Sequence, residues 1–256
     1  MNANRRHWLR AAGASLGAFW LSACDKLTND PKFAGVLRKA EGLTLRAQRA
    51  VTDRKALARE FSAADISRDF RANGTTRPDT YEYEALLANN FTDYKLVVDG
   101  LVEQPLELDL AQIRALPART QITRHDCVEG WSSIGKWKGA RLGLLLDQAR
   151  LKPNARYIVF HCADELEQTL DGTGQYYESI DLIDAYHPQT ILAYEMNDAA
   201  LPVKHGAPLR LRVERQLGYK QAKYVESIEI TDSFSGIAGG RGGYWEDRGY
   251  EWYAGI

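Results

Sequence analysis

Residues 120–137, TQITRHDCVEGWSSIGKW, constrain this chain more than any other stretch. Gln121–Thr123 reads as a strand that leads into Cys127, with Arg124, His125, Asp126 and Glu129 around the cysteine and Trp131 and Trp137 close behind. The end of a strand is a place where a reactive or ligand group is held rigidly. Positive neighbours lower a thiol pKa and carboxylates raise it, so this sulfur suits either nucleophilic attack or ligation of a soft metal. Local chemistry alone leaves both open. The chain has three cysteines, Cys24, Cys127 and Cys162, which make neither a disulfide framework nor a zinc knuckle. A Cys127–Cys162 disulfide is the competing reading in an exported protein, and a metal on Cys127 forbids it.

The rest of the chain alternates short strands and helices. Residues 32–64 read as helix, with Phe33, Val36, Leu37 and Ala40 at helical spacing and Lys55–Phe61 continuing it beyond Asp53. From Asp69 the chain turns irregular, with the turn dipeptide Asn73-Gly74 and Pro78. Strands are expected over 94–102, 157–161, 191–196 and 209–213 and around Ile228 and Ile230. Helices are expected over 108–116, started near Asp109 and stopped by Pro117, and after a turn within 138–151, on the apolar face Leu142, Leu145, Leu146 and Ala149. Gln175–Ala185 reads as an extended entry followed by a short helical segment. The tail places six glycines within 236–249 beside large aromatics, which suits either a chain folded closely over a surface or a loose end. There is no GxGxxG or Walker loop, so nucleotide chemistry has little support. Formal net charge is -1, and the first 23 residues carry three arginines and no acid, so the remaining body is more acidic still. Nucleic-acid binding, which needs a basic face, is not expected.

The string HDCVEGWS at 125–132 resembles the signature of the sulfite-oxidase-type molybdopterin family. The likeness continues in order through DLIDA at 181–185, LAYEMN at 192–197, HGAPLRLRV at 205–213 and GYKQAKYVESIEI at 218–230. It covers roughly residues 65–256 and lies close to the bacterial periplasmic methionine-sulfoxide-reductase-like catalytic subunits. The resemblance implies an α+β fold, a mixed-sheet molybdopterin-binding domain over 65–256 without the C-terminal immunoglobulin-like dimerisation domain, and hence a monomeric catalytic subunit. It implies a molybdenum-molybdopterin cofactor with Cys127 as the protein thiolate on the metal. Phe70, Arg71 and Asn73 stand where the family has a cofactor-touching arginine-asparagine loop, with the arginine displaced by one. Cys162 falls at a pterin-contacting strand end, and as an isolated residue it reads equally as a core cysteine. Tyr176, with Tyr177 as its alternative, matches a tyrosine facing the metal-bound oxygen; aromatic packing is the bland reading of both. His205 and Arg210 match positions holding the pterin and its phosphate, and Gln221, Ala222 and Lys223 match a phosphate-binding segment. Arginine suits that task because it presents a fork of donors to phosphate oxygens. Glu129 matches a site-proximal glutamate and is a candidate proton relay, with an anchoring ion pair as the competing role.

Sulfite oxidases surround their anion with arginines, whereas Glu129-Gly130-Trp131 follows the cysteine here. A neutral sulfoxide or similar oxide is therefore the expected substrate, sulfite dehydrogenation the runner-up, and a scaffold that lost its metal the non-enzymatic alternative. Electrons would come from a haem- or quinol-linked membrane subunit or a periplasmic cytochrome. Arg5 and Arg6 ahead of Trp8, Leu9 and an apolar stretch over 11–23 resemble a Tat signal peptide, spanning 1–23, of the kind that exports folded proteins. Leu21-Ser22-Ala23-Cys24 resembles a lipobox, which would anchor the mature chain through Cys24 on the periplasmic side of the bacterial inner membrane, with 24–64 as a helical tether.

Overall fold

The structure, a computed structural model, describes residues 31–169, 172 and 174–256. The export and lipid-attachment motifs, including Arg5, Arg6 and Cys24, lie outside the described residues. The chain divides into two compact units, one ending at Asp53 and one running from Arg54 to Ile256. In the first, helix α1 spans Pro31–Val51. Proline suits its first position, because the first turn's N–H groups have no partner inside a helix.

The expected helical continuation over Lys55–Phe61 is not there. That segment opens the second unit as an extended strap: Phe61 N–H donates to Ile122 O at 2.9 Å, and Glu60 bridges Thr123 antiparallel. Buried Gln189 donates to Ala58 O and accepts from Ala58 N–H, at 3.0 and 2.7 Å. Tertiary partners thus satisfy the backbone that a helix would have satisfied internally.

The second unit holds two sheets, the first mixed and the second antiparallel throughout. The first has the order β2 (Leu106–Asp109), β1 (Lys95–Gly100), β10 (Val225–Thr231), β5 (Tyr157–Glu165) and β6 (Gln175–Asp181). Only β1 and β10 run parallel among these pairs. The second has β3 (Ala118–Asp126), β4 (Ser132–Arg141), β7 (Ile191–Met196) and β8 (Ala199–Ala200), with β9 (Arg210–Arg212) also on β7. This is the mixed α+β architecture implied by the sequence. In β1 the pleat buries Leu96 and Val98 and exposes Lys95, Val97 and Asp99, the period-2 signal of a half-covered strand. In β5 Ile158, Val159 and Phe160 are all buried, as in a strand covered on both faces. The helix Leu142–Ala149 buries the four apolar residues expected of it, each fully buried leucine contributing roughly 2 kcal/mol of transfer free energy.

Two of the longer elements go beyond the expected pattern. Tyr81–Ala88 is a helix inside the stretch that reads as irregular, capped by the Thr80 hydroxyl, which accepts from Tyr83 N–H. Strand β4 runs on through Lys138–Arg141, where a turn is expected, because its glycines suppress strand propensity. One of them is required there: a Cβ on Gly139 would stand 2.1 Å from Leu192 O on the neighbouring strand.

Candidate active site

Cys127 sits where β3 stops. The β3–β4 hairpin pairs residue by residue from Ala118 with Ala140 to Asp126 with Ser132, so the intervening loop has a fixed origin. Cys127 N–H donates to Trp131 O at 2.9 Å and Cys127 O accepts from Gly130 N–H at 3.0 Å. The backbone N–H groups of Glu129 and Val128 favour the charged form of the sulfur. Burial pushes its pKa up, the two amides and Arg71 oppose that, and Glu129 adds to it. A thiol in this setting becomes a thiolate when a cation binds it.

Cys127 lines a solvent-open cleft that, with the open space at its mouth, encloses about 590 Å³. Asn73, Cys127, Glu129, Tyr176, Gln221 and Lys223, all singled out from sequence, line it together although they come from four separated parts of the chain. Phe70, Arg71, Cys162, His205, Arg210 and Ala222 are not on its wall. Cys162 and Ala222 are in the main apolar core. Phe70 lies in a smaller core with Trp137, packed edge-on against both Trp137 and His205 with ring centroids 5.4 Å apart. Arg71 is exposed on the rim, 3.8 Å from Glu129 and 5.4 Å from the Trp131 ring. Asp164, Gly218, Tyr219 and Trp245 also line the cleft. Of these, an acid in the apolar run YIVFHCAD is the one with a readable sequence signal.

Two buried cations, Lys223 and Arg210, act on backbone oxygens. Lys223 Nζ donates to Asn73 O at 2.6 Å and to Thr75 O, which pins the 73–75 loop to the cleft. Its pKa is pulled down to about 7, by burial first and Arg210 next, while Asp164 opposes. Burial pushes the Asp164 carboxyl up to about 6 against the pull of Lys223. Fully buried Arg210 donates to His205 O at 2.9 Å and Gln221 O at 3.2 Å, so it fixes the segment that presents Gln221. Its guanidinium lies 5.0 Å from the Trp137 ring, which Arg212 approaches to 4.3 Å. Arg212 makes a two-pronged contact with Glu214 at 2.9 and 2.6 Å and reaches His125 Nδ1 at 3.2 Å. That chain of contacts holds the residue two before Cys127.

His205 and His187 are buried histidines whose pKa values are lowered, in both cases by burial first. Arg210 and Lys204 add to the effect at His205, which falls to about 4. The unfolded chain takes up these protons near pH 6.5 and the folded chain resists them. The stability from a neutral His205 is therefore complete above about pH 6.5 and lost as pH falls towards 4. His205's contribution is read as a difference: between pH 6.5 and 4 the wild-type thermal midpoint is expected to fall relative to that of His205→Gln in the same scans.

The donor set fits a metal held by an organic chelate. Among the described residues no group of three or more His, Cys, Asp or Glu side chains converges as a metal site, so a metal on Cys127 brings its other ligands with it. Gly218 leaves room that a side chain would remove: a Cβ there would stand 2.4 Å from His125 Nε2. Asp164 Oδ1 is buried with no hydrogen-bond partner, an acceptor left for an N–H donor.

Comparison with known proteins agrees with this geometry. The model of the oxidoreductase molybdopterin binding domain matches residues 84–236, which include the sulfur and most of the cleft. A chain of Azospira oryzae, provisionally named protein-methionine-sulfoxide reductase subunit YedZ1, is 34% identical over 251 residues, 98% of this chain and 87% of that one. The protein-methionine-sulfoxide reductase catalytic subunit MsrP of Campylobacter jejuni is 34% identical over 156 residues, 57% of this chain and 52% of that one, so the match spans about half of that relative. Among solved structures, a chain of the sulfane dehydrogenase SoxCD from Paracoccus pantotrophus matches at a TM-score of 0.49 and 24% identity, over 55% of this chain and 39% of that one, a likeness too slight to argue from. By the extent of the family match and of the first relative, this chain belongs to the oxidoreductase molybdopterin-binding domain family.

Proposed function

We propose that this oxidoreductase transfers an oxygen atom at a molybdenum-molybdopterin centre ligated by Cys127, reducing a sulfoxide or a similar neutral oxide. The observation that carries the substrate class is the rim beside the sulfur. There Arg71 faces Glu129 and the Trp131 indole, and Trp131 Nε1 donates to Glu129 at 2.9 Å. A rim so balanced has little to offer a dianion and suits a polar but uncharged group beside apolar surface. Both sulfoxide-reductase relatives carry that activity in their names, which supports the same reading.

The cofactor, when bound, supplies the two-electron chemistry, and the protein supplies position and protons. Overall, a sulfoxide, two protons and two electrons give a sulfide and water. Cys127 would be the metal ligand. Asn73 and Gln221 would face the cofactor from loops that Lys223 and Arg210 hold by their carbonyls. Asp164 would accept a hydrogen bond from it. Phenolic Tyr176 donates to Tyr219 O, and burial keeps it protonated. Glu129, on the open rim, is placed to exchange protons with solvent. Phe70, Arg71, Cys162, His205 and Ala222 would act through packing and loop placement.

Electrons would arrive from a separate haem- or quinol-linked membrane subunit or a periplasmic cytochrome. No helix among the described residues is long and apolar enough to cross a membrane, and attachment at the periplasmic face would use Cys24. The test uses full-length protein from a host that makes the cofactor. About one molybdenum and one pterin per chain are expected, with dye-coupled reduction of a sulfoxide exceeding oxidation of sulfite. The reverse preference would make the chain a sulfite dehydrogenase.

A further inference from the structure

Behind the cleft wall lies a cluster of charges that the proposed reaction does not use. Lys220 Nζ donates to both Glu178 and Glu246. All three side chains are at most 1% exposed. The second oxygens, Glu178 Oε2 and Glu246 Oε2, are buried without a hydrogen-bond partner. The two carboxyl groups converge on one backbone point: a Cβ on Gly243 would stand 2.0 Å from Glu246 Oε2 and 2.8 Å from Glu178 Oε1.

One ammonium leaves two buried carboxylates with a net negative charge. Burying an uncompensated charge costs several kcal/mol, and two carboxylates sharing a site raise one pKa strongly. Glu178, on β6, faces Lys220 from the 3₁₀ turn Gly218–Lys220 and Glu246 from the helix Tyr244–Asp247, and its Oε1 also accepts from Ser179 N–H. The other titratable groups that sense the cluster are the Tyr176, Tyr177 and Tyr219 phenols and, towards Glu178, the Cys162 thiol, all pushed upward by burial first and so neutral. Among the described residues Lys220 is the cation ion-paired with either carboxyl. The Glu178 carboxyl is accordingly driven well above its usual range, by burial and then by Glu246.

We propose that the Glu178–Lys220–Glu246 cluster is a proton-holding site: from neutral pH up to pH 8 its two carboxyl groups share one proton beyond those on the lysine. This site positions the cleft wall. Tyr176 lies two residues before Glu178 on the same strand, Tyr219 precedes Lys220, and Trp245 precedes Glu246, and these three aromatics line the cleft. A bridge between Glu178 and Gly243 ties the same strand to the C-terminal segment. The inference concerns this chain's own side chains and stands whether or not the proposed substrate is correct.

Infrared spectroscopy of the full chain at pH 8, where Asp164 is ionised, tests it directly. A carbonyl band of a protonated carboxyl that shifts in heavy water is expected in the wild type. It should persist in Asp164→Asn and vanish in both Glu178→Gln and Glu246→Gln. Either glutamine leaves one carboxylate for one ammonium, which removes the reason for the extra proton. The folded state holds this proton above the pH at which an unfolded glutamate releases it, so the cluster's own contribution to stability, read as the difference between wild type and variant, falls as pH rises from about 4.5, opposite in sign to that of the buried histidines. Each glutamine variant is expected to flatten that fall. No such band in the wild type at pH 8, or a band that survives in both glutamine variants, overturns the proposal. The wild-type measurement decides even if a variant fails to fold.

Discussion

Cys127→Ser is expected to fold normally and to lose about a thousandfold or more in turnover, which corresponds to roughly 4 kcal/mol of transition-state stabilisation. The two effects separate because the loop does not depend on the sulfur for its shape. Its hydrogen bonds run between the backbones of Cys127, Gly130 and Trp131, and the β3–β4 ladder fixes both its ends. Exchanging a half-buried sulfur for oxygen should therefore cost within about 1 kcal/mol of stability. The chemical loss is large because a soft thiolate and a serine hydroxyl are different ligands. Serine is far harder to ionise and matches a soft metal site poorly. Denaturation midpoints check the first half of the expectation, and dye-coupled turnover the second. X-ray absorption at the molybdenum edge adds an independent reading, since the variant should lose one sulfur from the metal's nearest shell. Full turnover in the serine protein would remove Cys127 from the proposed mechanism.

The contrast between the sulfur and the rest of the cleft explains what could be read from the sequence. A cysteine at the end of a strand, among charges and ahead of two tryptophans, is a local pattern, and local patterns survive translation into structure. The same holds for Asp109, whose side chain caps the helix it was expected to begin, and for the leucine face of 142–149. What sequence spacing does not contain is which polar groups face the cleft and which face the core. Arg210 and Lys223 are both basic residues near glycine or lysine-rich loops. One is sealed against Trp137, and the other lines the cleft while spending its donors on the Asn73 and Thr75 carbonyls. For Lys223 that assignment depends on carbonyls 150 and 148 residues away, and for Arg210 on a tryptophan ring from a different strand. The strap over Lys55–Phe61 departs from the helix its local sequence favours for the same reason, because its partners Ile122, Thr123 and Gln189 are distant in sequence. The tail resolves into close packing: Trp252 Nε1 donates to Ser179 Oγ at 2.8 Å, and Asp247 accepts from Tyr177, Gly239 and Arg241.

Glu214→Ala is expected to destabilise the second unit by about 3–5 kcal/mol, the range for breaking a buried ion pair from one side. Glu214 and Arg212 have fully buried side chains, and the carboxylate takes two bonds from the guanidinium and a third from Gln121 at 2.8 Å. Removing it leaves the Arg212 charge beside Arg210, with both guanidiniums over the one Trp137 ring. The remaining side-chain acceptors of Arg212 are His125 Nδ1 and a distant Thr123 hydroxyl at 3.5 Å, and neither is an anion. The cost should therefore appear as a large shift in denaturant midpoint with an unchanged slope. Because the penalty arises from an orphaned charge, replacing both partners should be milder than replacing one: Arg212→Met with Glu214→Leu is expected to recover most of the loss. Recovery of stability need not restore the site, since the double variant still lacks the contact that holds His125 behind Cys127. A Glu214→Ala protein weakened by less than about 1 kcal/mol would mean that the arginine finds water, and the interior behind the cleft would then be wet and not sealed.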